Sequence, residues 1–318
     1  MQERPVSCLT LNPSVDVYTT ADAVRPADKL RCDPPLREPG GGGLNVARVL
    51  ARLGAPVRAV YPAGGPMGQW LDEHLAGLAL RPHRVPIGGD TRENLTVRAR
   101  DNGAEYRFVM PGPTLPASEW AACLAAATEP LQPGDWLVAS GSLPPGAPPD
   151  TWSRLARAAA GRGALLALDT SGVALRSALG DPSVGLALVK PNLRELREAT
   201  GEALADEPAW TAAARRWVDA GRARRVALSL GDRGALLAGP QGVWRAEALN
   251  VPLASSVGAG DSFCAALVWA LRQGLDDPVA LGWAMAAGTA ALLHPGTGLA
   301  HAEDIRRLQP LVRVQAAA

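Results

Sequence analysis

The chain has 318 residues, of which 47% are hydrophobic and 20% are charged, and its formal net charge is +1. This near-neutral balance argues against a protein that binds nucleic acid or a membrane surface, because such proteins normally carry a basic excess. The sequence has no apolar stretch of the ~20 residues that span a bilayer and no signal-peptide pattern. Its four cysteines, Cys8, Cys32, Cys123 and Cys264, form no Cys-x-x-Cys pair, which fits a reducing compartment. We therefore expect a cytoplasmic protein.

The first third of the chain predicts a small separate sheet. Segments 15–36 and 91–109 alternate polar and apolar residues, and the second contains the turn signal Asp-Asn-Gly at 101–103. We interpret both segments as strands of a lid that lies outside the main sheet. Between them, a run of four glycines opens a predicted helix over 46–53.

From about residue 120 onward, helical patterns alternate with short buried strands. Apolar runs without alternation are typical of strands covered on both faces, and their alternation with helices predicts a parallel sheet. The predicted helices are 118–128, 151–160, 193–200, 208–220, 261–273 and 278–293, and the predicted strands are 135–140, 164–169, 186–189 and 225–230. We thus predict one α/β domain over residues 1–318, with a doubly wound, mostly parallel sheet, helices on both faces and a small β-sheet lid. Residues 315–318 are expected to be frayed.

The strongest motif is Val-Gly-Ala-Gly-Asp-Ser at 257–262, which opens a predicted helix. Glycines let backbone N–H groups approach a ligand, and a helix N-terminus offers unpaired donors and partial positive charge. Such a cradle suits the charge of a phosphoryl group in transfer, and the Asp261 carboxylate can accept a proton from an attacking hydroxyl. Taken alone, an ordinary N-cap aspartate explains the motif equally well.

A second glycine-rich motif, Pro-Gly-Gly-Gly-Gly-Leu-Asn-Val-Ala at 39–47, permits close approach of the backbone to a substrate. Asn45 can hydrogen-bond a sugar hydroxyl there, and a flexible turn is the competing interpretation. The sequence contains no P-loop motif and no Gly-x-Gly-x-x-Gly after a first strand. These absences argue against a P-loop enzyme and against an NAD-dependent dehydrogenase.

The motif Lys-Pro-Asn-Leu-Arg-Glu at 190–195 lies where a predicted strand ends and a helix begins. Ligands bind at this edge of an open parallel sheet. Asn192 and Glu195 lie on one helical face and can order Mg²⁺ and its waters near triphosphate oxygens. The same spacing is typical of a capping box, which is the favoured interpretation of the motif by itself.

Together and in this order, these motifs resemble the PfkB family of carbohydrate kinases over essentially the whole chain. The resemblance is carried by PGGGGLNVA at 39–47, SGSLPPG at 140–146, KPN-x-x-E at 190–195, SLG at 229–231 and GAGDSF at 258–263. It implies a ribokinase-like fold with a β lid and transfer of a phosphoryl group from ATP to a sugar. It also implies that Asp261 is the catalytic base and that Gly258, Ala259 and Gly260 form the anion hole.

Within the family, the chain is most similar to phosphosugar kinases of the minor bacterial 6-phosphofructokinase type. The similar stretches are LTLNPSVD at 9–16, KLRC at 29–32, EPGGGG at 38–43, TRENL at 91–95 and YRFVMPG at 106–112. By this similarity, Arg92 holds the phosphate that the substrate already carries. The other implied sugar-phosphate residues are Asp16, Lys29, Arg31, Gly41, Asn45 and Ser142. The implied ATP-binding residues are Lys190, Asn192, Ser229 and Gly231, with Glu195 on the Mg²⁺ side.

Alternatives remain open at this point. Fructose-1-phosphate and tagatose-6-phosphate kinases more often read Gly-Gly-Lys-Gly where this chain has Gly42, which favours fructose 6-phosphate as the substrate. Close family members carry Asn and Arg where this chain has His294 and Gly298, which argues against their monovalent-cation site. A non-catalytic sugar-phosphate sensor is disfavoured because Asp261 and its glycine cradle are both intact.

The lid also predicts an assembly. A small sheet with one polar and one apolar face is unstable alone in water, and burial against a second copy would protect its strand edges. Relatives in the resembling group form lid-to-lid dimers. We expect a homodimer with Lys29 and Arg31 near the mouth of the shared active site.

Overall fold

The computed structural model describes residues 3–26, 28–181 and 183–317. Its strands are β1 Val6–Leu9, β2 Ser14–Ala21, β3 Leu36–Gly40, β4 Val57–Ala63, β5 Arg81–Pro86, β6 Arg92–Ala99, β7 Glu105–Phe108, β8 Trp136–Ser140, β9 Leu165–Asp169, β10 Leu188–Val189, β11 Val226–Ser229, β12 Ala235–Gly239, β13 Gly242–Ala246 and β14 Val314–Ala316. Its α-helices are α1 Gly42–Arg52, α2 Gly65–Ala76, α3 Ala117–Thr128, α4 Thr151–Ala160, α5 Gly172–Gly180, α6 Leu193–Thr200, α7 Glu207–Asp219, α8 Ala259–Arg272, α9 Asp277–Ala291 and α10 Ala302–Leu308.

The main sheet has ten strands in the order β14-β13-β12-β11-β10-β9-β8-β1-β4-β5. The strands from β5 to β11 run parallel, while β12, β13 and β14 add an antiparallel edge. The chain moves outward from β1 to β5 on one side and from β8 to β11 on the other. The strand order therefore reverses between β1 and β8, and such a reversal opens a crevice at the carboxyl ends of the strands.

Helices cover both faces of this sheet, as the alternating pattern predicts. One hydrophobic core contains buried residues of α1, α2, α8, α9 and α10, and the other contains buried residues of α3 to α7. The central strands β1, β8 and β10 are buried at every position, which explains why their sequences show no polar alternation. The predicted α/β class with a doubly wound, mostly parallel sheet is confirmed.

A second sheet forms the lid, with four strands in the order β3-β2-β6-β7. Strands β2 and β6 run parallel, and the other two pairs are antiparallel. Strands β2, β6 and β7 lie within the predicted segments 15–36 and 91–109 apart from Ser14, whereas β3 begins at Leu36 and continues to Gly40. The sequence pattern ended the lid at 36 since Pro39 and Gly40 are poor strand residues. Pairing with Ser14 and Val15 of β2 overrides this local preference.

Helix α1 begins four residues earlier than predicted, at Gly42 rather than at 46. Glycine disfavours a helix interior, so the sequence alone indicates a loop there. The reason for glycine is tertiary, because a Cβ at Gly43 would overlap the carbonyl oxygen of Leu9.

The expectation of a frayed C-terminus is wrong for the described residues. Val314–Ala316 forms β14 and pairs with β13, and Ala317 N donates to Val243 O at 2.8 Å. Ala318, which belongs to the same prediction, lies outside the described residues. No helix in the described part of the chain has the length and apolar character needed to cross a membrane.

Candidate active site

The polar residues at the carboxyl edge of the main sheet come from strands that are far apart in sequence. Ser140 ends β8, Asp169 ends β9 and Lys190 directly follows β10. At the strand-order reversal, Asn12 Nδ2 donates to Ser142 Oγ at 3.0 Å. A cleft of about 240 Å³ opens there, and its lining residues are Gly42, Ser140, Gly141, Ser142, Asp169, Thr170, Ser171, Glu195 and Asp261.

The predicted anion hole is the N-terminus of α8. Gly258 caps this helix in the left-handed conformation, with φ 76°, and Ala259 begins it. Within the described residues, the N–H groups of Gly260 and Asp261 have no backbone acceptor. Free N–H donors and the positive end of the helix dipole make this turn suited to an anion.

Asp261 lies in the first turn of α8, and its carboxyl faces the cleft. Asn45 Nδ2 donates to its Oδ2 at 2.8 Å, which orients the carboxyl and leaves Oδ1 free of that bond. Burial, reinforced by the charge of Asp169, raises the pKa of Asp261 to about 7, against the lowering effects of Asn45 and Lys190. A carboxyl with a pKa near neutrality is well matched to general-base catalysis.

The glycine run holds the backbone of α1 against the sheet edge. Gly41 has φ 107°, which a side chain would strain, and a Cβ at Gly42 would overlap Ser140 Oγ. This close approach brings Asn45, which is 4% exposed, beside Asp261. Asn45 Oδ1 is buried without a hydrogen-bond partner among the described residues. An orphaned buried acceptor is costly, so it is suited to a hydroxyl of a bound sugar.

Lys190 and Asp169 form a buried ion pair beneath the cleft. Lys190 Nζ lies 3.1 Å from Asp169 Oδ1, and both side chains are largely buried. Burial by itself lowers the pKa of Lys190, but the charge of Asp169 outweighs it and the pKa is raised. A Cβ at Gly260 would lie 3.6 Å from Lys190 Nζ, so this fixed positive charge stands beside the anion cradle.

Asn192 and Glu195 form a capping box at the start of α6. Glu195 N donates to Asn192 Oδ1, and Asn192 N donates to Glu195 Oε2, each at 2.9 Å. Glu195 nevertheless lines the cleft, and burial raises the pKa of its carboxyl. In the described residues, no three His, Cys, Asp or Glu side chains form a metal cage. One carboxylate together with phosphate oxygens is a donor set that Mg²⁺ uses in nucleotide-binding proteins.

Ser229 and Gly231 lie one strand further along the same edge. Ser229 ends β11, and its N–H donates to Pro191 O at 3.1 Å, which joins it to the Lys190–Glu195 motif. Gly231 follows with φ 63° and is exposed. Ser229 forms an isolated bridge with Asn192, and Gly231 follows at the same carboxyl edge.

The lid carries Asp16 on the face that meets the α8 side of the cleft. Asp16 Oδ1 accepts hydrogen bonds from Ser14 Oγ at 2.7 Å and from Asn94 Nδ2 at 2.9 Å. Asp16 is close enough to Asp261 for its charge to raise the pKa of that carboxyl. A small pocket of about 30 Å³ lies between the lid and the main body, and it includes Asp16, Asn94 and Arg107.

Arg92 lies where the lid meets the main body, and its guanidinium donates to three backbone carbonyls. The acceptors are Asn12 O at 3.0 Å, Met110 O at 2.8 Å and Pro13 O at 3.4 Å. Burial lowers the pKa of Arg92, with Asp16 acting in the opposite direction. A guanidinium has five N–H donors, so this anchoring leaves some of them for a phosphate.

Lys29 and Arg31 are exposed on the segment between β2 and β3. They do not line the cleft of the described chain. The structure therefore brings together Asp261, Asn45, Lys190, Glu195 and Ser142, and leaves these two cations apart from them.

Three residues of the site were missed in the sequence. Asp169 pairs with Lys190, Asn12 spans the strand-order reversal, and Arg107 lines the lid pocket. The sequence does carry a signal for Asp169, because Asp-Thr-Ser at 169–171 lies at the carboxyl end of the predicted buried strand 164–169. Asn12 and Arg107 lie in the similar stretches 9–16 and 106–112, but their roles depend on how separate strands meet, which the sequence does not show.

Comparison with known proteins identifies the family. The sequence profile of the pfkB family of carbohydrate kinases matches residues 10–304. The chain is 42% identical over 301 residues to the ATP-dependent 6-phosphofructokinase isozyme 2 of Mycobacterium tuberculosis, covering 94% of this chain and 87% of the relative. It is 34% identical over 274 residues to the 1-phosphofructokinase of Xanthomonas campestris, covering 86% and 85%. The crystal structure of phosphofructokinase-2 from Escherichia coli in complex with substrates and products matches with a TM-score of 0.93 and 37% identity, covering 97% of this chain and 99% of that one.

Proposed function

We propose that this chain, which belongs to the pfkB family of carbohydrate kinases, transfers the terminal phosphoryl group of ATP to the C1 hydroxyl of fructose 6-phosphate. The observation that supports this most directly is the meeting of Asp261, Asn45 and the free N-terminus of α8 in one cleft. These parts supply a base, an orienting group and an anion cradle, which is what phosphoryl transfer requires. A sensor without activity would not need a carboxyl whose pKa is raised to about 7.

The proposed reaction needs little covalent chemistry from the protein. Asp261 accepts the proton of the C1 hydroxyl while the oxygen forms a bond to the terminal phosphorus of ATP. The bond between that phosphorus and the bridging oxygen breaks, and ADP leaves. The N–H groups at the start of α8 and the ammonium of Lys190 stabilise the charge that spreads over the phosphoryl oxygens. Closure of the lid would exclude water, which would otherwise compete as the acceptor.

Mg²⁺ is proposed to arrive with the nucleotide. Glu195, held by its capping box, is the carboxylate available to the ion or its waters, and the ion neutralises phosphate charge when bound. Asn192, Ser229 and Gly231 are proposed to line the nucleotide side. The monovalent-cation site of the resembling relatives is disfavoured in this chain, because His294 and Gly298 replace their residues.

The existing phosphate of the substrate is proposed to bind near the lid junction. Arg92 is held there by backbone carbonyls, and Arg107 lines the adjacent lid pocket. Lys29 and Arg31 lie apart from the cleft and would add positive charge across the proposed dimer. An unphosphorylated sugar would not need this charge. Asp16, Gly41, Asn45 and Ser142 are proposed to contact the sugar.

Fructose 1-phosphate and tagatose 6-phosphate remain the competing substrates, and one assay separates them. ADP release is measured with fructose 6-phosphate, fructose 1-phosphate, tagatose 6-phosphate and fructose at equal concentrations. We expect the highest kcat/KM with fructose 6-phosphate and almost none with fructose. A higher value for another phosphosugar would correct the substrate, and no ADP release with any of them would refute the kinase activity.

A lid-to-lid homodimer is also proposed. Val17 of β2, Leu95 of β6 and Phe108 of β7 lie in register, so their side chains share one face of the lid. Phe108 is 48% exposed, which is unusual for a large aromatic side chain. Covering this face with a second copy would bury it and would bring Lys29 and Arg31 toward the partner.

The free cysteines of the described structure agree with the expected cytoplasmic location.

A further inference from the structure

The connection between α9 and α10 packs against the start of α8. Leu299 is fully buried, and a Cβ at Gly258 would overlap its Cδ2. The next residue, Ala300, donates from its N–H to Ser262 Oγ at 3.2 Å. This connection therefore touches α8 on both sides of Asp261, at its cap and at the residue that follows the carboxyl. A shift of the connection would shift the anion cradle.

Leu299 has a backbone conformation that leucine rarely adopts. Its φ is 55°, in the left-handed region, and Leu204 is the other non-glycine residue of the described chain with a positive φ. A bulky residue persists in this region only when its surroundings hold it there. The carbonyl groups on the two sides of Leu299 show what holds it. Gly298 O and Ala300 O both accept from Arg52 Nη1, at 2.7 and 3.1 Å.

Arg52 belongs to the same helix face as Asn45. Seven residues separate them on α1, which is about two helical turns. Asn45 contacts Asp261 directly, whereas Arg52 contacts the connection that packs on Gly258 and Ser262. Burial and the nearby charge of Arg48 lower the pKa of Arg52. A partly dehydrated guanidinium interacts more strongly with carbonyl dipoles than an exposed one.

The other end of the connection is attached to the lid. Thr297 Oγ1 donates to Glu38 Oε2 at 2.6 Å, and Glu38 lies on lid strand β3. Glu38 is in turn paired with Arg48 of α1 at 2.8 Å, with both side chains largely buried. The connection is thus held at Thr297 through the lid and at Gly298 and Ala300 by Arg52. Of these two attachments, the one made by Arg52 acts directly on the backbone around Leu299.

We propose that Arg52 is a positioning residue. Its guanidinium binds the carbonyl oxygens of Gly298 and Ala300 and thereby fixes Leu299 against the start of α8. This packing keeps the N–H donors of α8 in place. This inference rests on the proposed kinase function, because it concerns donors that act on a phosphoryl group in transfer. Arg52 itself contacts neither ATP nor sugar in this proposal.

The test is the Arg52→Ala variant, measured beside the wild type in the ADP-release assay. The donors act on charge that develops in the transition state, and a misplacement of about 1 Å can cost ~10²-fold in rate. We expect kcat to fall by about 10- to 100-fold, with the KM values for ATP and sugar phosphate changed by less than about twofold. Millimolar guanidinium, which fits the vacated space, should restore part of the lost kcat in the variant and leave the wild type unchanged.

Arg197→Ala is the matched control. Arg197 Nη2 donates to the carbonyl of Leu204 at 2.9 Å, so it also holds a leucine with a positive φ, but it does not line the cleft. This control should lower the melting temperature and keep kcat. The proposal is overturned if Arg52→Ala keeps kcat within about twofold of the wild type, or if the control loses kcat equally.

Two further comparisons keep the outcomes separate. If Arg52→Ala does not fold, Arg52→Gln keeps a shorter polar side chain whose amide is uncharged, and the same loss of kcat is expected. Wild-type kcat in a folded Arg52→Gln variant would overturn the proposal. If the wild type itself releases no ADP, the proposed function is refuted, and this outcome is distinct because it does not depend on any Arg52 variant.

Discussion

The substitution Asp261→Asn should abolish most of the turnover and also stabilise the protein. Asparagine has the same shape and can still accept the hydrogen bond from Asn45, but it cannot accept a proton. General-base assistance typically contributes ~10²- to 10⁴-fold. We therefore expect kcat to fall at least ~10²-fold, while the dissociation constants of ATP and sugar phosphate change little.

The stability effect follows from the raised pKa of Asp261. The folded protein holds this proton more tightly than the unfolded chain, whose carboxyl has a pKa of 3.8. The free energy of unfolding therefore falls as pH rises from about 4 to about 7, and the loss is complete above that window. One pKa unit corresponds to ~1.36 kcal/mol, so the change from 3.8 to about 7 sets an upper limit of ~4 kcal/mol. Water at the open side of the cleft screens part of this, and we expect ~1 to 2 kcal/mol.

The measurement is thermal unfolding at pH 5 and pH 8, together with kcat. At pH 8 the Tm of Asp261→Asn should exceed that of the wild type by about 1.5 to 3 °C, and the gain should be smaller at pH 5. Asp276→Asn is the control, because Asp276 caps α9 by accepting from Val279 N and asparagine caps equally well. A variant that keeps more than about a tenth of wild-type kcat, or that melts below the wild type at pH 8, would refute this reasoning.

Three other predictions test the substrate side, the pH dependence and the assembly. Arg92→Ala should raise the KM for fructose 6-phosphate by about 10- to 150-fold, since a lost charge-assisted contact costs ~1.5 to 3 kcal/mol; an equal rise for ATP would place Arg92 elsewhere. The kcat/KM of the wild type should rise with pH through about 7 as Asp261 loses its proton. In the wild type, the hydrogen bond from Asn45 lowers the pKa of Asp261, so Asn45→Ala should move this rise in kcat/KM to higher pH. A rise at unchanged pH would exclude Asp261 as the titrating base. Sedimentation at micromolar concentration should show a dimer for the wild type and a monomer for Phe108→Asp, whereas a fully active wild-type monomer would contradict the lid interface.

Local sequence patterns predicted the bounds of an element correctly where those bounds depend on residues inside the element. Helices Thr151–Ala160 and Leu193–Thr200 have the predicted bounds, because the amphipathic period that defines them lies within the segment itself. The capping box of Asn192 and Glu195 is of the same kind. The bounds were wrong at β3 and α1, where glycine and proline have low intrinsic preferences and strand pairing or close packing outweighs them.

The sequence by itself determined the fold class, the family resemblance and the residue types of the cradle, since these depend on order and spacing along the chain. Only the tertiary structure showed that Asn45 donates to Asp261, that Lys190 pairs with Asp169, and that Arg52 holds the backbone around Leu299. The first of these contacts joins residues 216 positions apart. The raised pKa of Asp261 is likewise a tertiary property, because burial and the charge of Asp169 exist only once strands and helices from distant segments meet at the same edge of the sheet.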